Sequence, residues 1–248
     1  MSKVILEVCV DTPESVNNAI NGGADRLELC SSLILGGLTP SPGLAKYALS
    51  QTNIPCYALI RPRNGNFVYS TAEVDIMVDD IYLLKKLGVT GFVIGALTPK
   101  GQIDIDSIQR LKESAQGCDI TFHRAFDHIP TPYEAMDKLI DMGIQRILTS
   151  GQQTSAEQGI ELIKSLQAHA GNRLSLMAGA GVDEYNAAKI ISATGIKEIH
   201  ASCKVKRNCH YESLSNLSMG SESSFDHSIF VTSENIVSRI KSKITDLV

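Results

Sequence analysis

The chain has 248 residues, 43% of them hydrophobic, with 23 Lys and Arg against 27 Asp and Glu for a formal net charge of −4. That length and hydrophobic content can fill one large core or two small ones, and the interspersed charge, with no basic stripe, excludes an extended nucleic-acid footprint. No apolar run is long enough to cross a bilayer, and the six cysteines, scattered without a C-x-x-C pair, are expected to be reduced thiols of a cytoplasmic protein.

The opening MSKVILEVCV is not expected to act as a signal peptide, because Glu7 interrupts its apolar run and no small-residue cleavage site follows. A short β-rich run followed by a helical run then recurs eight times. The run at 5–10 leads to a helix that Asp11 or Thr12 can cap. The run at 25–30 leads through GGLTPSPG to LAKYALSQ, and 55–62 leads through RNGNFVYS to the long amphipathic AEVDIMVDDIYLLKKLG. The runs at 91–97, 118–126, 146–151, 174–181 and 198–203 each precede a further helical stretch, several of them closed by glycine. Strands too apolar to face water, alternating with helices, predict a single-domain (β/α)8 barrel over residues 1–248. An open doubly wound sheet is disfavoured, since no G-x-G-x-x-G follows the first strand. The polar segment 204–231 is read as an extended loop after the last strand.

In such a barrel alternate strand residues point inward, and functional groups gather at the C-terminal strand ends. Ile5, Glu7 and Cys9 share one face, as do Arg26, Glu28 and Cys30, and Leu59, Arg61 and Arg63. The opposite faces carry Leu6, Val8, Leu27, Leu29 and Ile60, which suit packing against helices. Thr121 and His123 share a face in TFHRAFD, with Arg124 opposite and Asp127 in the following loop; His200 and Ser202 share a face on the last strand. Glu7, Glu28, Arg61, His123 and His200 are therefore expected to converge at one end of the lumen, with Arg63, Arg124 and Asp127 at its rim. Any one of them is as readily a satisfied structural group. Together they point to a site, because a lumen built for stability alone is filled with branched apolar side chains.

Two further groups bear on ligands. AGAGV at 178–182 and HASCK at 200–204 end the seventh and eighth strands, so Gly179, Gly181 and Ser202, with Ser150 and Gly151 from ILTSG, are candidates for holding an anion or phosphate. Cys9 and Cys30 occupy corresponding positions on neighbouring strands about 4.8 Å apart, where two thiolates suit a soft monovalent ion such as Cu(I). Buried cysteines acting as small hydrophobes would fill the same positions.

The stretches LEVCVDT, GADRLELC, GGLTPS, IRPR, TFHRAFD, ILTSG, AGAGV and LSMG resemble the CutC copper homeostasis family over nearly the whole chain. That resemblance implies a TIM-type barrel, a cytoplasmic protein that self-associates, and copper handling with Cys9 and Cys30 as the suggested Cu(I) ligands. The chain departs from the family pattern at Leu35, Asn64 and Asn66. Residue chemistry also supports a second reading, an enzyme of isomerase or lyase type acting on a small anionic metabolite. Its arginines would grip the anion, and His123, His200 or Glu28 would move protons.

Overall fold

The computed structural model describes residues 3–209, 227–245 and 247; the LSMG stretch at 217–220 lies outside them. Eight parallel strands close into a barrel in sequence order: β1 Ile5–Val10, β2 Arg26–Leu29, β3 Cys56–Leu59, β4 Gly91–Ile94, β5 Asp119–Phe122, β6 Arg146–Thr149, β7 Ser175–Ala178 and β8 Glu198–Ala201. The helices α1 Pro13–Asn21, α2 Pro42–Gln51, α3 Thr71–Leu87, α4 Ile105–Ser114, α5 Pro132–Asp141, α6 Ile160–Ala170, α7 Ala187–Thr194 and α8 Glu234–Thr245 follow the strands in turn. No described helix is long and apolar enough to cross a membrane.

Local chemistry starts the helices where the sequence indicated. The Thr12 side chain accepts from the Ser15 N–H with Pro13 in the first turn, and Ser41 does the same for Leu44. Ser70 and Glu73 form a reciprocal capping box at the start of α3. Packing then follows strand parity. Leu6, Val8, Leu27, Leu29, Ala58, Ile60, Phe92, Ile94, Phe122, Ile147 and Ile199 are buried in the main core shared with the helices. Cys9, Cys30, Tyr57, Leu59 and Val93 form a separate cluster within the lumen.

The structure departs from the sequence reading in three places. Segment 204–231 is not loop throughout: β9 Lys204–Asn208 pairs antiparallel with β10 Ser228–Thr232. The Thr232 N–H donates to Ser15 Oγ and buried Val231 anchors this hairpin, so its polar residues are its outer face. The stretch TFHRAFD leaves the sheet at Phe122, and His123 instead caps a 3-10 turn over Arg124–His128, its Nδ1 accepting from the Ala125 N–H at 3.1 Å. Finally, Cys9 lies level with Glu28, not with Cys30. The stagger needed to close a tilted barrel shifts the register between neighbouring strands, which spacing along the chain cannot reveal.

Candidate functional site

The lumen is polar from its base upward. Arg26 Nε donates to Glu7 Oε2 at 2.5 Å, and Arg26 Nη2 to Glu198 Oε2 at 2.5 Å. Arg146 Nε reaches the same Glu198 oxygen at 2.6 Å, while Ser175 Oγ donates to Oε1 at 2.6 Å. The Tyr57 ring lies beneath both guanidinium groups, 4.8 Å from Arg26 and 5.5 Å from Arg146. A Cβ on Gly91 would come within 2.5 Å of this ring, so the fourth strand needs glycine there. Two acids and two guanidiniums thus neutralise one another in a largely buried layer.

Above this layer Cys9, Glu28 and His200 come together, their candidate ligand atoms all within 4.8 Å of one another. His200 Nδ1 meets Glu7 Oε1 at 2.8 Å. Burial alone would raise the Glu7 pKa, but Arg26 and His200 together hold it down at about 2, so Glu7 is a carboxylate and Nδ1 carries the shared proton. That leaves His200 Nε2 facing Glu28 Oε2 at 3.9 Å. Burial works against an imidazolium here, yet the Cys9 sulfur, Glu7 and Glu28 raise the His200 pKa well above its ordinary value. Glu28 is pushed the other way for a carboxylate, up to about 7, because its burial outweighs attraction to His200. Cys30 supports it from behind, its thiol donating to Glu28 Oε2 at 3.3 Å. Burial, followed by the nearby Glu28, drives the Cys30 pKa well above the ordinary thiol value.

On the other side of the same opening stand Arg61 and His123. A cavity of about 580 Å³ is lined by both, by Cys9, Glu28 and His200, and by Arg124, Ser202, Gly181 and Lys204. Arg61 is only 7% exposed. Its Nη1 donates to the carbonyls of Leu35 and Gly37, each at 3.0 Å, and Nη2 to that of Gly65 at 2.9 Å. Its Nε is buried without a partner. The hydroxyl of Tyr69 is buried beside the Arg61 guanidinium. His123 is buried between Phe67, 4.8 Å away, and Phe122, 6.0 Å away. Burial and then Arg61 lower its pKa to about 3, so the ring is neutral. Since Nδ1 accepts from Ala125, Nε2 carries the hydrogen, and that N–H has no acceptor among the described residues. A Cβ on Gly95 would lie 2.4 Å from His123 Cε1, so glycine just past the end of β4 makes room for this ring.

The remaining predicted rim residues have other occupations. Asp127 receives Thr149 Oγ1 at 2.5 Å, the Ser150 N–H at 3.0 Å, Ser150 Oγ at 2.9 Å and Arg124 Nε at 2.9 Å. Its carboxylate therefore ties the β5 and β6 loops together, and Arg124 and Ser150 Oγ join each other at 3.0 Å in the same knot. Gly151 turns this loop at φ 67°. Arg63 pairs with Glu73 away from the cavity and braces its own loop through the carbonyls of Asn64 and Asn66. Gly65, not Asn64, takes the left-handed conformation in that loop. The Gly179 N–H is spent on Thr149 O, whereas the N–H groups of Ala180, Gly181 and Val182 meet no acceptor among the described residues. Ala180 holds φ 83°, an uncommon angle for a residue with a Cβ.

Sequence reasoning placed Arg26 on the inner face without assigning it to the site and passed over Tyr57, Arg146 and Glu198. For three of them the signal was available: Arg26, Tyr57 and Glu198 lie two residues before Glu28, Leu59 and His200, and alternation brings each to the same face.

Comparison with known proteins agrees with this architecture. The sequence model of the CutC family matches residues 4–205. The family protein CutC of Pasteurella multocida is 47% identical over 239 residues, covering 96% of this chain and 98% of its own. The same-named protein of Photobacterium profundum is 47% identical over 240 residues, covering 96% and 98%. The crystal structure of the copper homeostasis protein CutC from Streptococcus agalactiae superposes with a TM-score of 0.77 at 35% identity, over 80% of this chain and 98% of that one. Thiamine phosphate pyrophosphorylase from Pyrococcus furiosus, at 14% identity and a TM-score of 0.60 over 99% and 97% of the two chains, shares the fold alone. With the motifs spread along the whole chain and the relatives matching it nearly end to end, this protein belongs to the CutC family.

Proposed function

We propose that the mouth of the barrel is a metal-handling site that takes copper as its cargo, with Cys9, His200 and Glu28 as the ligands. One observation carries this reading: a thiol, an imidazole and a carboxyl group meet within 4.8 Å, and the imidazole is anchored through its other nitrogen to Glu7. An outer carboxylate that fixes the orientation and basicity of a ligating histidine is the usual support of a metal-bound imidazole. The donors suit copper in either state. Sulfur and imidazole nitrogen accept the soft monovalent ion, and the added carboxylate suits the divalent ion, which heads the affinity order of its row. Binding replaces the protons on the thiol and on Nε2. Cys30, the second thiol expected from the sequence, is assigned here to holding Glu28.

The test is competition for Cu(I) with a chromophoric chelator under reducing conditions. Cys9→Ser and His200→Ala, which remove direct ligands, are expected to weaken binding by more than about 100-fold, and Cys30→Ser, which removes an outer partner of Glu28, by about 10- to 100-fold. Loss in Cys30→Ser as large as in Cys9→Ser would replace the triad with a two-thiolate site; unchanged affinity in Cys9→Ser would remove the reading. A cytoplasmic setting fits six free cysteines. Self-association fits the exposed Ile76, Leu83 and Leu87 along α3, and light scattering would measure it.

A further inference from the structure

We propose that the β3–β5 side of the cavity, built on Arg61 and His123, is an oxyanion-binding subsite, so that the barrel mouth takes a small metabolite bearing a carboxylate or phosphate group. Neither this subsite nor its ligand follows from metal handling, which uses the β8–β1–β2 side.

The first support is an unneutralised buried charge. Arg61 is more than nine-tenths buried, yet its three hydrogen bonds all go to backbone carbonyls, and no acidic side chain among the described residues pairs with it. Every other strongly buried guanidinium in the lumen is different: Arg26 and Arg146 share Glu7 and Glu198. A buried cation without an anion is costly, and the carbonyls supply dipoles but no charge. Of the five N–H bonds of a guanidinium, three are spent on carbonyls, and the two that remain, on Nε and Nη2, have the Tyr69 hydroxyl as the neutral polar group beside them. A planar fork with free N–H bonds is the donor geometry that oxyanions accept.

The second support is independent of charge. His123 is held neutral, and its capping bond to Ala125 fixes the hydrogen on Nε2, where no group among the described residues accepts it. Buried donors are nearly always satisfied, by protein, water or ligand. Arg61 and His123 both pack on the Phe67 ring, at 5.3 and 4.8 Å, which places the two orphaned donors on one wall of one cavity. The balance of charge there agrees: with Arg124 paired to Asp127 and His200 to Glu7, Arg61 and Lys204 remain against Glu28, the single acid lining the cavity among the described residues. A volume of about 580 Å³ is within the range for metabolite sites and far beyond the need of a bare ion.

The test uses inorganic phosphate and malonate as separate probes, titrated into the metal-free protein and followed by calorimetry and by ¹H–¹⁵N spectra of side-chain N–H groups. At least one probe is expected to bind saturably and to move the Arg61 Nε–H and His123 Nε2–H signals of the native protein. Preference for phosphate or for malonate separates a phosphorylated ligand from a carboxylate. Arg61→Met should weaken binding about tenfold or more, and Arg61→Lys, which keeps the charge and loses the fork, by several-fold. Cys9→Ser should bind the anion with native affinity while losing copper, so the two sites fail or stand separately. The proposal is overturned if neither probe shifts those signals at millimolar concentration, or if Arg61→Met binds as the native protein does. Should Arg61→Met not fold, the native spectra and Arg61→Lys decide the matter.

Discussion

Replacing His123 with asparagine isolates the consequence of burying a titratable ring as a neutral group. Asparagine Oδ1 stands near the position of Nδ1, so it can keep the bond from the Ala125 N–H, and asparagine is among the preferred residues at such a cap. What disappears is the ring between Phe67 and Phe122, and the ability to ionise. At pH 7 the ring loss dominates and should destabilise the variant by about 1–3 kcal/mol. In the native protein, burial and then Arg61 lower the His123 pKa from 6.5 to about 3, so the unfolded chain binds a proton that the folded one refuses. The stability associated with neutral His123 is therefore complete above pH 6.5 and is lost as pH falls toward 3, at about 1.4 kcal/mol per pH unit. Between pH 7 and pH 4.5 the native protein should lose about 2.5 kcal/mol through this residue, a loss that His123→Asn escapes. Urea unfolding of both proteins at the two pH values, in buffers without multivalent anions, measures the double difference. Other acid-sensitive groups act equally on both proteins and cancel to the extent that distant sites add. The gap between native and variant should shrink or reverse at pH 4.5; an equal gap at both pH values would mean that His123 is not held neutral, and the reasoning about its orphaned N–H would go with it.

Two more outcomes follow from the same packing. Glu198→Ala removes the acceptor shared by Arg26 and Arg146 and leaves the latter with Thr121 at 3.2 Å as its hydrogen-bond partner, so a loss of about 3–5 kcal/mol is expected. Thermal unfolding should register it as a fall of about 6–20 °C in Tm, and a fall below about 2 °C would show that water relaxes the base of the lumen. Gly95→Ala would drive a methyl group into the His123 ring, costing about 1–3 kcal/mol by overpacking. The imidazole signals of His123 should shift in this variant while those of His200 stay in place, and the reverse pattern would refute the assigned contact.

How far the site could be read from the chain shows best at particular residues. Glu7, Glu28, Arg61, His123 and His200 were recognisable because two-residue alternation within one strand is a local property, and ionisable groups on a face that should be apolar stand out. Asp127 was recognisable as a rim residue but not as a loop brace, since its donors come from Thr149, Ser150 and Arg124 across a turn the sequence does not display. The pairing of Cys9 with Cys30 assumed level strands. The barrel's stagger sets Cys9 level with Glu28, and Cys30, in the same lumen cluster as Cys9, turns its thiol onto that carboxylate.

The order of the eight strand and helix units, the closed parallel barrel they demand and the inward set of charges were determined by the chain itself, because periodicity, caps and turns act over a few residues. Which of those charges neutralise each other was decided only in three dimensions. Register, burial and the direction of each hydrogen bond arise between segments far apart in sequence, and they alone leave Arg61 without a counter-ion among the described residues while Arg26 has two.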